Sequence, residues 1–164
     1  MSAFRVGTGF DAHPLVAGGR LILGGVTIPH SHGLQGHSDA DVLFHAVADA
    51  LLGAAALGDL GRFFPPRDPR YAGADSGVLL SGVVERVRLE GWRTGNLDCT
   101  VIAERPTLAP YMPAMRSNLA RRLGVAEACV SVKATSTDAL GFTGRGEGIA
   151  AQAVVLLEAL ESTP

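Results

Sequence analysis

The chain has no run of Lys or Arg and no basic stripe; its 14 basic and 16 acidic residues leave a formal charge of −2. A nucleic-acid-binding surface is therefore not expected. Only two cysteines occur, Cys99 and Cys129, with no close-spaced pairing. Both are expected to be reduced, buried thiols. No apolar run is long enough to cross a bilayer, and the best stretch, residues 50–58, lies between Asp49 and Asp59. The opening Met1-Ser2-Ala3-Phe4-Arg5 lacks the apolar segment of a signal peptide, so a soluble cytoplasmic protein is expected, with no membrane partner. Aromatic residues make up 5%, which leaves the core to Val, Leu, Ile and Ala.

What is abundant is glycine, at 21 residues, and that implies many tight turns and close backbone approaches. The 164 residues suit one domain, taken as 1–164. Residues 4–10 alternate as a strand. Residues 20–28 form two short strands around Gly24-Gly25, a hairpin signal. Residues 29–36 make a polar loop. A first helix starts near Ser38, where Ser38-Asp39-Ala40-Asp41 resembles a capping box, and runs to about Leu57. Residues 58–69 are a Gly/Pro loop. Asp75 caps a second helix that ends at Gly91, and a strand follows over 92–103. A third helix over 112–123 is stopped by Gly124, and residues 129–133 alternate as a strand. Residues 149–160 fit helix periodicity nearly as well as a buried strand. Strands and helices mix without strict alternation. This predicts an α/β (α+β) sandwich, a mixed β-sheet with helices packed on one face.

The chemistry starts at Asp11-Ala12-His13. A spacing of two along an extended segment puts both side chains on one face. Two histidines and a carboxylate suit a catalytic zinc, which takes three protein ligands and keeps one position open. His45 is the third candidate. It recurs with Asp41 and Asp49 at intervals of four, so the three share a helix face and should meet a site or water. His30-Ser31-His32 is a competing pair, but it has no nearby carboxylate and reads as surface. His37 and Ser38 stand at the expected start of the first helix, where free amides suit a phosphate; spacing alone slightly favours Ser38 as a plain cap and His37 as a solvated loop residue. Lys133 to Asp138 brings a lysine, three hydroxyls and a carboxylate after a strand. That set suits a phosphate and a hard cation such as Mg²⁺. Arg145 with its neighbouring amides suits an anion, or residues 142–148 are simply a flexible Gly-rich turn, and spacing does not choose between the two.

Together the stretches RVGTGFDAHP, LILGGVTIPHSHGLQGHSDADVLFHAVADALLGAAALGDLG, DPRYAGADS, AERPTLAPYMPAMR and VKATSTDALGFTGRGEGIA resemble the 2-C-methyl-D-erythritol 2,4-cyclodiphosphate synthase family over almost the full chain. The resemblance implies a homotrimer with active sites between neighbouring subunits, and zinc held by Asp11, His13 and His45. It implies a lyase of non-mevalonate isoprenoid biosynthesis that converts 4-diphosphocytidyl-2-C-methyl-D-erythritol 2-phosphate to the cyclodiphosphate and CMP. The family's substrate positions fall on Asp11, Ala12, His13, His37 and Ser38; on Asp59, Leu60 and Gly61; and on Phe64, Pro65, Pro66, Arg67 and Asp68. They also fall on Ala103, Glu104, Arg105, Pro106, Thr107, Leu108 and Ala109 for the cytidine, and on Thr135, Ser136, Thr137, Asp138, Phe142 and Arg145. His37 and Ser136 match transition-state-stabilising positions. A Mg²⁺ or Mn²⁺ ion would bridge the substrate phosphates near Asp138.

Four positions depart from the family pattern. Asp138 stands for the usual Glu, so the second cation sits closer to the backbone or is held through water. Thr107 stands for a common Lys, Pro66 for a frequent Asp, and Gln152 for a Glu found near the trimer axis. The resemblance also makes residues 149–160 a strand. Two other readings share these residues, a zinc-dependent phosphohydrolase and a non-catalytic binding protein for isoprenoid diphosphates.

Overall fold

Gly7 and Gly9 decide how the layers meet. The computed structural model describes residues 3–161. Strand β1, Phe4–Ala17, turns its odd-numbered residues toward helix α1, Val42–Ala54. A Cβ on Gly7 would collide with the Ala50 carbonyl, and one on Gly9 with the Ala46 carbonyl. Two absent side chains thus let the helix backbone rest directly on the strand. Asp11 and His13 continue the same odd-numbered face, so they too point toward α1.

The other elements are β2 (Leu21–Leu23), β3 (Val26–Ile28), β4 (His32–Leu34), α2 (Leu60–Phe63), α3 (Ser76–Leu89), β5 (Trp92–Ile102), α4 (Met112–Leu123), β6 (Val130–Thr135), α5 (Gly141–Gly144) and β7 (Gly148–Ala159). Five strands form one sheet in the order β4-β1-β7-β5-β6. Only the β5–β6 pair is parallel, so the sheet is mixed as expected. Helix α1 covers β1 and β7, while α3 packs on β5 and α4 on β6. The opposite face carries Val6 (65% exposed) and Phe10 (60% exposed), with Phe4 and Val154 beside them. β2 and β3 form a separate hairpin that turns at Gly24 and Gly25, both at positive φ.

Several boundaries differ from the sequence reading, each for a physical reason. β1 extends through Asp11 and His13 to Ala17 because β7 pairs with it from Phe4↔Glu158 to Pro14↔Gly148. The 29–36 loop contains β4, recruited by pairing Leu15↔Leu34. The first helix starts at Val42, because Asp41 rather than Ser38 accepts the Phe44 amide; it ends at Ala54, before Leu57. The 58–69 loop contains α2, capped by Asp59 through the Arg62 amide. Cys99 is buried, but Cys129 is half-buried at the end of a surface 3₁₀ turn. Of residues 149–160, all but Leu160 belong to β7. Ile149, Ala151, Ala153, Val155 and Leu157 alternate inward, while apolar Val154 on the far side blurs the period. Among the described residues no helix is long and apolar enough to cross a membrane.

Candidate active site

Three donor atoms from two elements meet in a triangle. Asp11 Oδ2 lies 2.9 Å from His13 Nε2 and 3.0 Å from His45 Nδ1, and the two nitrogens are 3.1 Å apart. Tetrahedral zinc holds such donors about 3.3 Å from one another, so a small opening of the triangle would admit an ion of that kind. Among the described residues this is the one group of three metal-type side chains that converges. His13 Nδ1 donates to the Gln35 carbonyl at 3.1 Å. A carbonyl only accepts, so the neutral ring turns a bare Nε2 toward Asp11. The second Asp11 oxygen is taken by the Ala12 amide at 2.9 Å.

The electrostatics favour positive charge at the centre. Burial lifts the Asp11 carboxyl, but the hydrogen bonds and charges of His13 and His45 outweigh it and hold it well below the usual carboxylate range. The hydrogen bond that a protonated His13 ring donates to the Asp11 carboxylate raises His13 above its ordinary value, against burial. A proton or a divalent cation satisfies the same field.

The triangle opens into a cavity of roughly 250 Å³ lined also by His37, Ser38, Asp49, Leu60, Gly61, Phe64, Pro66 and Tyr71. Phe64 and Tyr71 form an edge-to-face pair along its wall. Asp49 Oδ1 accepts the Leu60 amide at 2.7 Å, which ties α2 to α1 across the cavity. Burial raises the Asp49 carboxyl above its ordinary value. Asp41 does not join the stripe expected for it. It is fully buried and accepts amides from Gly24, Gly25 and Phe44. The anion site expected at the start of α1 is therefore corrected: a carboxylate of the chain already occupies that helix end. His37 and Ser38 reach the cavity from the preceding loop instead.

Residues 4–158 match the sequence pattern of the YgbB family. The chain belongs to the YgbB family. It is 63% identical over 153 residues to a protein from Moorella thermoacetica named 2-C-methyl-D-erythritol 2,4-cyclodiphosphate synthase, covering 93% of this chain and 94% of that one. Its fold superposes on the bifunctional IspDF from Campylobacter jejuni with a TM-score of 0.93 and 42% identity, covering 96% of this chain and 43% of that longer one. It also matches a 2C-methyl-D-erythritol-2,4-cyclodiphosphate synthase described as a CDP-bound form. There the TM-score is 0.87 and the identity 34%, over 94% of this chain and all of that one.

In this YgbB chain the remaining expected positions do not line the cavity at the Asp11–His13–His45 triangle. Ala103, Glu104, Pro106, Thr107, Leu108 and Ala109, with Thr135 and Ser136, line a separate cavity of roughly 240 Å³. Glu104, Arg105 and Arg145 line a third with His30 and His32, which share no carboxylate-completed metal cluster. Neither cavity shares a lining residue with the first. Arg145 pairs with Glu147, and Thr137 Oγ1 donates to the Leu140 carbonyl. Asp138 and Phe142 are exposed. Pro65 and Arg67 are exposed in the turn after α2, Asp59 caps that helix, and Asp68 is paired with Arg70. The Asp68 carbonyl accepts His37 Nε2–H at 2.9 Å, which positions that ring at the cavity edge. The sequence reading of the YgbB site missed Ser76, whose Oγ lies 2.8 Å from His45 Nε2. No signal marked it, because Asp75 alone accounts for the start of α3.

Proposed function

We propose that the chain converts 4-diphosphocytidyl-2-C-methyl-D-erythritol 2-phosphate to 2-C-methyl-D-erythritol 2,4-cyclodiphosphate and CMP by intramolecular phosphoryl transfer. The observation that carries this reading is the convergence of Asp11 Oδ2, His13 Nε2 and His45 Nδ1 at the mouth of a cavity holding His37 and Ser38. The names of the high-identity relatives support the same activity.

The substrate 2-phosphate has a second pKa near ~6, so it is largely ionised at neutral pH and needs no general base. Its oxygen bonds to the β-phosphorus. The bond from that phosphorus to the α–β bridging oxygen breaks, and the bridging oxygen leaves with CMP. Holding both phosphates in one bound molecule removes ~7–11 kcal/mol of barrier when the alignment is good. Catalysis of such transfers is mostly positioning and charge neutralisation. Zinc on Asp11, His13 and His45 would supply Lewis acidity for a phosphate oxygen. Asp138 would hold Mg²⁺ or Mn²⁺, which would supply further charge neutralisation. His37 and Ser38 bind the phosphates, and Ser136 with Thr135, Thr137, Phe142 and Arg145 holds the diphosphate end. Leu60 and Gly61 face the erythritol, with Asp59 and the Phe64–Asp68 turn around it. Ala103 to Ala109 take the cytidine.

We further infer a homotrimer. Within one chain the cavity at Asp11, His13 and His45 and the 103–109 surface share no lining residue, which supports a site completed by a neighbouring chain. The apolar sheet face at Val6 and Phe10 is a surface for that contact. A cytoplasmic location accords with these readings. Phosphorus NMR of the purified protein with the cytidine diphosphate substrate, combined with metal analysis and sedimentation, tests the proposal. Cyclic diphosphate, CMP, one zinc per chain and a three-chain mass are expected. A linear product indicates the hydrolase, and tight ligand binding without turnover the binding protein.

A further inference from the structure

We propose that Ser76 and Asp39 act as positioning residues: they form a relay that fixes which ring nitrogen His45 presents to the metal. The inference rests on the zinc reading above and concerns side chains outside the ligand set.

His45 Nδ1 faces Asp11 Oδ2 and His13 Nε2. Its Nε2 lies 2.8 Å from Ser76 Oγ and 3.1 Å from Ser38 Oγ. A hydroxyl can donate or accept, so this contact alone leaves the tautomer open. The next partner decides. Ser76 Oγ is hydrogen-bonded to Asp39 Oδ1, and the Ser76 amide donates to Asp39 Oδ2 at 3.1 Å. An ionised carboxylate only accepts. The single Ser76 proton therefore goes to Asp39. A Ser76 lone pair remains for His45, and Nε2–H must be the donor. A neutral imidazole carries one proton, so Nδ1 is bare.

The shorter Ser76 contact outweighs the Ser38 hydroxyl at 3.1 Å in setting the tautomer. Ser76 is 1% exposed, so bulk water does not replace either partner. Asp39 is pinned further by the Asp41 amide at 3.2 Å. Ser38 Oγ accepts the Ala40 amide at 3.2 Å, which leaves its own proton for the second Ser76 lone pair at 3.2 Å or for a phosphate in the cavity. The two histidines thus present opposite nitrogens, His13 through Nε2 and His45 through Nδ1. Each is set by an acceptor at the far side of the ring: the Gln35 carbonyl for one, the Ser76–Asp39 relay for the other. Outer partners of this kind raise ligand basicity and fix ring orientation. The relay also joins the start of α3 to a ligand carried by α1.

The test measures zinc affinity by chelator competition, without substrate, in Ser76→Ala, Asp39→Asn and the double variant. Each single change is expected to weaken zinc binding by ~10–100-fold. The double variant is expected to be no weaker than the worse single, because the two act in series. Thermal unfolding separates positioning from folding. The chelator-treated variants should melt close to the chelator-treated parent, while the zinc-induced rise shrinks. Zinc affinity within twofold of the parent in both singles overturns the relay, as do losses that multiply in the double or equal melting losses with and without zinc. If the parent protein itself binds no zinc, the metal reading fails and the relay with it. If the parent binds zinc and the variants bind it equally well, only the relay fails.

Discussion

His13 Nε2 and His45 Nδ1 stand 3.1 Å apart across 32 positions of sequence. One comes from an edge of the β1–β7 ladder and the other from the first turn of α1, so their meeting requires the helix to sit at one height on the sheet. His45→Ala removes the only helix-borne donor of the triangle. It is expected to abolish zinc retention and to reduce turnover at least a hundredfold. Atomic absorption on the purified variant and product formation by phosphorus NMR check both; full activity in the metal-depleted variant contradicts the assignment.

The height of the helix is set by glycine. Gly9→Ala places a methyl group in the Ala46 carbonyl, one residue from His45. Overpacking of this kind costs about 1–3 kcal/mol. The expected outcome is a lower denaturant midpoint together with weaker zinc binding, although Gly9 touches no metal. Gly18→Ala makes a useful contrast, because the added methyl there meets open space and only the positive φ is penalised.

Asp41 supplies a pH signature. Burial raises its carboxyl to about 6 in the folded chain, against an ordinary 3.8, despite the amides of Gly25, Phe44 and Gly24. The folded state binds this proton more tightly than the unfolded one. Its contribution is thus complete below pH 4 and is lost as pH rises through 6, by on the order of 2–3 kcal/mol. Asp41→Asn cannot titrate and presents its amide group to donor N–H groups, so it is less stable throughout. The stability gap between parent and variant should narrow from pH 4 to pH 7. Urea unfolding of both proteins in excess chelator measures it; a gap that widens with pH reverses the sign.

Asp138 is exposed and sits at φ 51°, a conformation that Asn adopts as readily. Asp138→Asn is therefore expected to leave the unfolding temperature and zinc content unchanged. It is expected to raise the Mg²⁺ or Mn²⁺ concentration needed for half-maximal turnover about tenfold. A divalent-ion titration of activity checks this, and an unshifted curve removes Asp138 from the cation site.

The convergence of Asp11, His13 and His45 was legible because each part follows a local rule. Alternation along a strand aligned Asp11 with His13, and an apolar helix carrying His45 had to show that residue to something polar. The rest depends on contacts that sequence spacing does not encode. Asp41 looked like part of the same stripe, yet it stands just before the helix with extended backbone, buried under the β2–β3 turn, where it caps α1. Ser76 enters only because α3 starts beside the ring of His45. The strand β7 was ambiguous because its uncovered side is apolar as well, and an outward Val154 reads the same as an inward one. Family likeness settled that strand, and the sheet register explains why: eleven consecutive pairings to β1 leave no room for a helix.

That same ladder places the first and last strands side by side, with Phe4 opposite Glu158 at one end and His13 opposite Ile149 nine rungs away. Nine rungs span roughly 30 Å. Any module grafted before Phe4 or after Glu158 would hang from the pole remote from the catalytic mouth, and both attachment points are neighbours. Gene fusion in either order is sterically cheap for such a scaffold, and so is rewiring the chain by joining its old ends.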